Sequence, residues 1–363
     1  MNYLIDKNDR TPAYLQLYRC LVKDITEGVY LYGTRLPSKR VMAAETGVSI
    51  ITAEHAIALL CDEGYCEARE RSGCFVIYRE ADFAIAKACG GIDGNPVSRG
   101  VHSKTEFPFS VLSRAMRKVL LDYGESILVK SPNHGSMELR NAISAYLARS
   151  RGIQVHPGRI IVGSGAEYLY GLIGQLLGTG RIYAIEDPSY EKIRRVYETL
   201  GIQCELLPLG ENGITSRALA GAKATVLHVT PFNSYPSGIT ADISKKREYL
   251  RWIKERGGCI VEDNYDSELT VSAKPEDSLF SMADGANVIY INTFSHTIAP
   301  SMRIGYMLLP EALSDEFNRR LGFYSCTVPL FEQYVLAELI NSGDYERHIN
   351  RVRRQRRREE GKK

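Results

Sequence analysis

The sequence predicts an α/β protein of two parts, a small helical N-terminal unit with one hairpin and a larger three-layer α/β/α domain. Three observations support this prediction. The first eighty residues contain three helical segments followed by two strand-like runs. From Gly158 onward, apolar runs of strand length alternate with amphipathic stretches, the pattern of a largely parallel sheet covered by helices. A chain of 363 residues also exceeds what one hydrophobic core usually organises.

Composition is that of an ordinary globular protein, with 44% hydrophobic and 25% charged residues. The first residues carry charges where a signal peptide needs an apolar run, and no later apolar run reaches membrane-spanning length. The eight cysteines are scattered without paired ligand spacing. We therefore expect a cytoplasmic protein with reduced thiols, no metal site and no contact with a membrane.

The first helix is predicted within "TPAYLQLYRCLVKDITEGVY", where apolar side chains recur every three or four residues. Two short helices follow in "LPSKRVMAAETGVSIITAEHAIALLCDEGY". Ser38 can cap the first and Gly47 can end it, while Ser49 can cap the second and Gly64 can end that one. Only "TGVS" separates the two, which is the spacing of a helix-turn-helix. Because "YCEARE", "RSG" and "CFVIY" then form a hairpin, residues 1–78 predict a winged helix-turn-helix.

The motifs "LPSKR", "GVS", "DEGY" and "RSGCFV" resemble the signature of the GntR family of bacterial regulators. The resemblance implies DNA contacts from Arg40, from Ser49 and Thr52 at the start of the second helix of the motif, and from the wing at Arg71 to Gly73. Ile50 stands where the family usually has an arginine, and "SIITAEHAIALLCDEG" contains no Lys or Arg. Attraction to DNA phosphates must then come from cations elsewhere in the winged helix-turn-helix. These are Arg35, Lys39, Arg40, Arg69 and Arg71.

Residues 79–100 are predicted to be a linker, because "READFAIAKACGGIDGNPVSRG" is polar and rich in glycine. The larger domain is predicted over residues 101–363. Its strands are predicted in the runs "RIIVGSG", "RIYAIEDP", "CELLPL", "ATVLHVTP", "CIVEDNY", "VIYINTFS" and "RIGYMLLP". In such sheets ligands sit beyond the carboxyl ends of the strands, and the polar residues of this chain gather in those turns.

The turns carry most of the groups that pyridoxal phosphate requires. Gly165, Ala166 and Glu167 open a helix, where backbone amides and the helix dipole can hold a phosphate. Asp263 could face the pyridine nitrogen, and the guanidinium of Arg303 could donate two hydrogen bonds to the phosphate. The two aromatic candidates are Tyr190, which could stack on the ring, and Tyr265, which could contact its phenolic oxygen.

The stretches from "FPFSVLSRAMRKVL" to "TFSHTIAPSMRIGY" resemble the fold type I, pyridoxal phosphate-dependent aminotransferase domain. With the GntR-like head, the whole chain resembles the MocR/GabR class of regulators. In that class the aminotransferase domain senses a small amine or amino acid rather than transaminating it. The resemblance also implies a homodimer, and a C-terminal small domain that this sequence does not contain.

The resemblance places His296 at the position of the lysine that forms the Schiff base with the cofactor. An imidazole has no primary amine, so no catalytic residue is assigned and cofactor binding is expected to be noncovalent at most. His296 could be natural or introduced. Asn233 and Ser234 also replace the His and Gln that the family usually has there.

The end of the sequence, "RVRRQRRREEGKK", carries eight Lys or Arg against two Glu, a net 8 − 2 = +6. Such a run could be a nucleic-acid-binding tail, but we favour the exposed face of a helix starting near Asp344. For the whole chain we predict a DNA-binding regulator whose operator has two half-sites. The alternatives are a pyridoxal phosphate-dependent aminotransferase-like enzyme and a degenerate, non-catalytic scaffold.

Overall fold

The computed structural model describes Tyr3, Ile5, Asp6 and residues 11–69, 72–78, 107–270 and 277–360. The predicted linker, 79–100, lies outside these residues. The chain divides into two compact units, one of Met1–Lys104 with Pro108–Leu121 and one of Thr105–Phe107 with Asp122–Lys363. The domain boundaries given above stay a prediction.

The N-terminal unit begins with α1 (Ala13–Thr26), α2 (Lys39–Thr46) and α3 (Ile50–Asp62). The predicted caps are confirmed. Ser38 Oγ accepts a hydrogen bond from the amide of Val41, and Ser49 Oγ accepts one from the amide of Thr52. Gly47 takes the left-handed conformation, with φ +68°, that ends α2. The bend between α2 and α3 is 119°, which is within the range of a helix-turn-helix.

The hairpin follows as β1 (Cys66–Arg69) and β2 (Gly73–Val76), paired antiparallel with Cys66 opposite Val76. Its buried side chains join one core with those of the three helices. The core side chains of the helices include Leu17, Leu21, Ile25, Met42, Ala53, Ala56 and Leu60. The winged helix-turn-helix is therefore confirmed. Most of α4 (Phe109–Tyr123) groups with this unit.

The larger unit is built on one eight-stranded sheet, in the order β3-β10-β9-β8-β7-β4-β5-β6. The pairs β4–β5, β4–β7, β7–β8 and β8–β9 are parallel, whereas β10 is antiparallel to both neighbours and β6 to β5. All seven predicted runs are strands, and only the two-residue β6 was not predicted. The strands are β3 (Ile160–Gly163), β4 (Ile182–Asp187), β5 (Gln203–Gly210), β6 (Gly213–Ile214), β7 (Val226–Val229), β8 (Cys259–Asp263), β9 (Asn287–Thr293) and β10 (Gly305–Leu308).

Helices cover both faces of this sheet. Buried side chains of α6, α7 and α10 form one core with the strands, and those of α8 and α9 form another. This arrangement confirms the three-layer α/β/α architecture. The helices are α5 (Met137–Arg151), α6 (Ala166–Leu177), α7 (Glu191–Thr199), α8 (Ser216–Gly221), α9 (Ile243–Arg256), α10 (Glu311–Leu321), α11 (Leu330–Asn341) and α12 (Asp344–Glu360).

As far as Glu360, the basic run near the end of the sequence lies in α12, which begins at Asp344 as predicted. Two of its arginines bind backbone carbonyls of the larger unit. Arg353 Nε donates to the carbonyl of Glu268 at 2.7 Å, and an Arg356 Nη donates to that of Leu269 at 3.2 Å. These contacts favour a helix face over a free nucleic-acid-binding tail.

Within the described ranges, no single helix is both long and apolar enough to cross a membrane, and α2 with α3 passes that test only as a bent pair. The seven cysteines that the structure describes are free. In the same part of the chain, His, Cys, Asp and Glu side chains form no cluster of three or more that could hold a metal ion.

Candidate functional site

The first candidate site is the exposed start of α3 in the N-terminal unit. Ser49 and Thr52 lie here as predicted, but their hydroxyls contact each other at 2.8 Å while Ser49 Oγ also caps the helix. Ile50 and Ile51 are 47% and 67% exposed. The opposite face of α3 is buried in the core through Ala53, Ala56 and Leu60.

The predicted DNA-contacting cations of this unit differ in their partners. Arg40 is exposed, and nothing in the described part of the chain forms an ion pair or side-chain hydrogen bond with it. Lys39 Nζ binds Glu54 at 2.7 Å. Arg69 lies 3.2 Å from a carboxylate oxygen of Glu67. Among the described residues, no ion pair compensates Arg40 or Arg35, in contrast to Lys39 and Arg69.

The wing brings two predicted residues together. The Arg35 guanidinium lies over Gly73, so close that a Cβ at Gly73 would stand 2.7 Å from Arg35 Nε. Gly73 also has φ +111°, which favours glycine. Arg71 lies outside the described residues.

The second candidate site lies in the larger unit, at the N-terminus of α6. Gly165 is the N-cap residue with φ +95°, and a Cβ there would stand 3.0 Å from an Arg303 Nη. The structure thus brings Arg303 over the predicted phosphate cradle. The amide of Gly165, however, already donates to the carbonyl of Gly163 at 2.9 Å.

The Glu167 carboxylate occupies this anion site. It lies 2.6 Å from an Arg303 Nη and 2.9 Å from Lys192 Nζ. Burial alone would raise its pKa, but the hydrogen bonds from Lys192, its own backbone amide and Arg303 lower the pKa to about 2. The sequence analysis assigned only the amide of Glu167 to the site, and the structure adds an ionised side chain there.

Asp263 ends β8 and is 2% exposed. Its carboxylate accepts hydrogen bonds from the Tyr170 hydroxyl on α6 and from the amide of Tyr265 at 3.2 Å. Nε2 of the buried His228 lies 3.9 Å away. The strand end and α6 thus fix a buried carboxylate at the edge of the sheet where ligands are expected.

His296 contacts a buried acid that the sequence analysis did not single out. Its Nδ1 lies 3.0 Å from an oxygen of Asp266, and the Asn233 amide donates to the other oxygen at 2.6 Å. An Arg356 Nη of α12 is 3.5 Å from that second oxygen. Burial would raise the pKa of Asp266, but the contact with His296 and the charge of Arg356 lower it.

The two predicted aromatic residues lie beside these groups. The Tyr265 ring meets the His296 ring edge-on at 5.7 Å, and its hydroxyl donates to the carbonyl of Asn233 at 2.8 Å. Tyr190 meets Tyr235 edge-on at 6.3 Å, and Lys192 Nζ lies 5.7 Å from the centre of the Tyr190 ring. Both tyrosines therefore already have partners within the chain.

The residues present fit the pyridine ring of pyridoxal phosphate, but they do not fit its phosphate group or its aldehyde. Asp263 supplies a buried carboxylate, the kind of group that a protonated pyridine nitrogen requires. At the phosphate position, however, the chain supplies its own carboxylate from Glu167. His296 carries an imidazole, which has no primary amine to form a Schiff base.

The sequence analysis missed Tyr170, Glu186, His228, Asp266 and Arg356. The sequence could have indicated Asp266, since it follows Tyr265 directly in "EDNYDSEL". It could not have indicated Arg356, because ninety residues separate that residue from Asp266 along the chain.

Glu186 is a buried acid at the end of β4, where it accepts a hydrogen bond from Ser234 Oγ at 2.7 Å. Burial, opposed by hydrogen bonds from Ser234 and the backbone of Thr230, raises its pKa to about 8. Between its ordinary pKa and about 8, the carboxyl is protonated in the folded chain and ionised in the unfolded one. Its contribution to stability is therefore complete below its ordinary pKa and is lost as pH rises through about 8.

We predict that Glu186→Gln removes a pH dependence of stability. From pH 5.5 to 7.5 the native chain should lose about 1–2 kcal/mol of unfolding free energy more than the variant loses. Urea unfolding of both proteins at the two pH values measures this difference. The exposed Glu198→Gln serves as the control and should keep the native pH dependence. Equal losses in all three proteins would show that Glu186 does not titrate in this range.

Comparison with known proteins identifies the families of the two units. The sequence pattern of aminotransferase class I and II matches residues 103–360, and that of the gntR family of bacterial regulatory proteins matches residues 13–76. The fold and its two sites thus define a DNA-binding head joined to an aminotransferase-like domain.

Individual relatives share this organisation. The chain is 32% identical to the uncharacterized HTH-type transcriptional regulator YdeL of Bacillus subtilis, over 94% of this chain and 76% of that one. It is 28% identical to the probable rhizopine catabolism regulatory protein MocR of Rhizobium meliloti, over 97% and 76%. The chain belongs to the MocR-type regulators.

A solved structure confirms the fold of the larger unit. The kynurenine aminotransferase of Pyrococcus horikoshii superimposes with a TM-score of 0.63 and 26% identity. The match covers 69% of this chain and 64% of that enzyme, so this chain spans less than two thirds of the aminotransferase's length.

Proposed function

We propose that this chain acts in the cytoplasm as a transcription regulator that binds an operator through its winged helix-turn-helix. The observation that carries the proposal is that the winged helix-turn-helix leaves Arg40 exposed on α2 while the Arg35 guanidinium lies over the wing. In this fold the start of the second helix of the motif faces base edges and phosphates. The relatives YdeL and MocR, which are named as regulators, support the same function.

The larger unit is proposed to be an effector domain without Schiff-base chemistry. His296 takes the place of the reactive lysine and contacts the buried carboxylate of Asp266. Any pyridoxal phosphate held here is then held without a covalent bond. The effector is proposed to be a small amine or amino acid.

A homodimer is part of this proposal, and exposed apolar side chains support it. Leu128 is 81% exposed, and Val129 and Phe323 are also largely exposed. Asn133 donates a hydrogen bond to the carbonyl of Gly322 at 2.8 Å, so the segments that carry these side chains lie close together. A second copy would remove this apolar surface from water. Two heads per dimer would then occupy two half-sites.

Arg40→Ala is predicted to weaken operator binding by about 1–3 kcal/mol. Its guanidinium lacks a partner among the described residues and is therefore available to DNA. The measurement is a fluorescence titration of the full chain against the intergenic DNA upstream of its own gene and against a scrambled duplex. If Arg40 contacts phosphate, the salt slope of log affinity should also become shallower by about one unit.

Lys23→Ala is the matched control, since it removes an exposed cation of α1 whose nearest acid is Glu27 at 3.9 Å. It should leave the affinity ratio between upstream and scrambled DNA unchanged. Equal native affinity for both duplexes, unaffected by Arg40→Ala, would contradict the regulator proposal and favour the scaffold.

A further inference from the structure

The start of α3 presents an apolar surface that phosphate contacts do not explain. Ile50 and Ile51 are both exposed in the first turn, and Ala53, Ala56 and Leu60 bury the opposite face. No cation occurs along α3, from Ile50 to Asp62. Hydrogen-bonded readout of guanine by Arg or Lys from this helix is therefore excluded.

The polar groups of the first turn are already engaged. Ser49 Oγ accepts from the amide of Thr52 at 3.1 Å and lies 2.8 Å from Thr52 Oγ1. The two hydroxyls therefore serve mainly to begin the helix. The first turn of α3 therefore offers a partner mainly the branched hydrocarbon of Ile50 and Ile51.

The same unit carries exposed cations outside α3. Arg40 is exposed on α2, and Arg35 reaches over the wing at Gly73. Phosphates bound at these cations would hold the start of α3 against base edges in the major groove. In that groove, the apolar group that a base pair displays is the C5-methyl of thymine.

We propose that Ile50 and Ile51 read thymine methyl groups, so that this regulator recognises its operator partly by apolar contact. The inference rests on the proposed DNA binding and names the chemistry that is read. Thymine would be favoured at the base pairs facing the first turn of α3 in each half-site. An isoleucine there gains affinity by removing a methyl group from water rather than by forming a hydrogen bond.

Deoxyuridine tests this directly, because it lacks the C5-methyl group but keeps the hydrogen-bonding edge of thymine. The upstream DNA is amplified once with thymidine and once with deoxyuridine triphosphate, and the full chain is titrated against both. Binding to the deoxyuridine duplex should be weaker by about 4-fold for each thymine methyl group that an isoleucine would otherwise bury. Two half-sites should together give roughly 10-fold or more.

Ile51→Ala identifies the side chain responsible. This variant should bind the thymidine duplex more weakly than the native chain and should discriminate less between the two duplexes. Val29→Ala, which shortens an exposed apolar side chain outside α3, is the matched control and should retain the native discrimination.

Three results would overturn the inference. Equal native affinity for the two duplexes, with both bound more tightly than scrambled DNA, would reject methyl readout but leave the regulator proposal standing. The isoleucines would then be a docking surface for a protein. Unchanged discrimination in Ile51→Ala would reject the residue assignment. Binding of neither duplex above scrambled DNA would reject the proposed function and the inference with it.

Discussion

His296→Lys should turn a domain without a reducible cofactor adduct into one that carries pyridoxal phosphate covalently at position 296. The change restores a primary amine beside Asp266, which has a lowered pKa and is held by Asn233 and Arg356. The amine would condense with the aldehyde of the cofactor and release water. Borohydride would then reduce the Schiff base to a stable secondary amine.

The measurement is peptide mass spectrometry after incubation with pyridoxal phosphate and reduction. We expect a pyridoxyl group at position 296 in most molecules of the variant, and none there in the native chain. His156→Lys, which places a lysine at an exposed turn, is the control for modification of surface amines. A folded His296→Lys variant with no more adduct than this control would mean that the pocket does not admit the aldehyde.

Glu167→Gln should raise affinity for inorganic phosphate and for pyridoxal phosphate by roughly 10-fold or more. The ionised carboxylate now lies between Arg303 and Lys192 at the N-terminus of α6. An incoming phosphate meets a like charge there, and both cations are already compensated. Glutamine removes the charge at nearly the same volume and leaves the helix dipole and both cations to the ligand.

Isothermal titration with each ligand measures this change. Glu198→Gln is the matched control, because Glu198 is also paired with an arginine, Arg194, but lies in the last turn of α7. It should bind phosphate as the native chain does. Unchanged phosphate affinity in Glu167→Gln would contradict the idea that the carboxylate blocks the anion site.

A double variant with His296→Lys and Glu167→Gln distinguishes binding of the phosphate group from reaction of the aldehyde. The double variant should reach half-maximal adduct formation at roughly tenfold less pyridoxal phosphate than His296→Lys alone. If phosphate affinity rises but no adduct forms at position 296, the anion site is usable and the aldehyde end is not.

The local sequence pattern was sufficient to predict the strands and the helix caps of this fold. The seven predicted strands and the caps at Ser38, Gly47 and Ser49 were found where the sequence placed them. Such features depend on residues only a few positions apart, through side-chain periodicity and through hydrogen bonds to the nearest free amides. The two-residue β6 was missed because so short a run has no periodicity.

The order of polar residues along the strand ends also predicted which side chains lie near one another in the larger unit. Gly165, Glu167 and Arg303 come together, and Tyr265 lies beside both Asp263 and His296. In a parallel sheet the carboxyl ends of successive strands meet at one edge, so their turns converge.

The sequence by itself thus determined the two-part architecture, the strands and the position of His296 in its motif. Only the tertiary structure decided the charge partners: Glu167 with Arg303, Asp266 with His296 and Arg356, and Lys39 with Glu54. The physical reason is that hydrogen bonding and periodicity act over one or two turns. A buried carboxylate, in contrast, is compensated by whichever cation the strand order and the helix packing bring within a few ångströms.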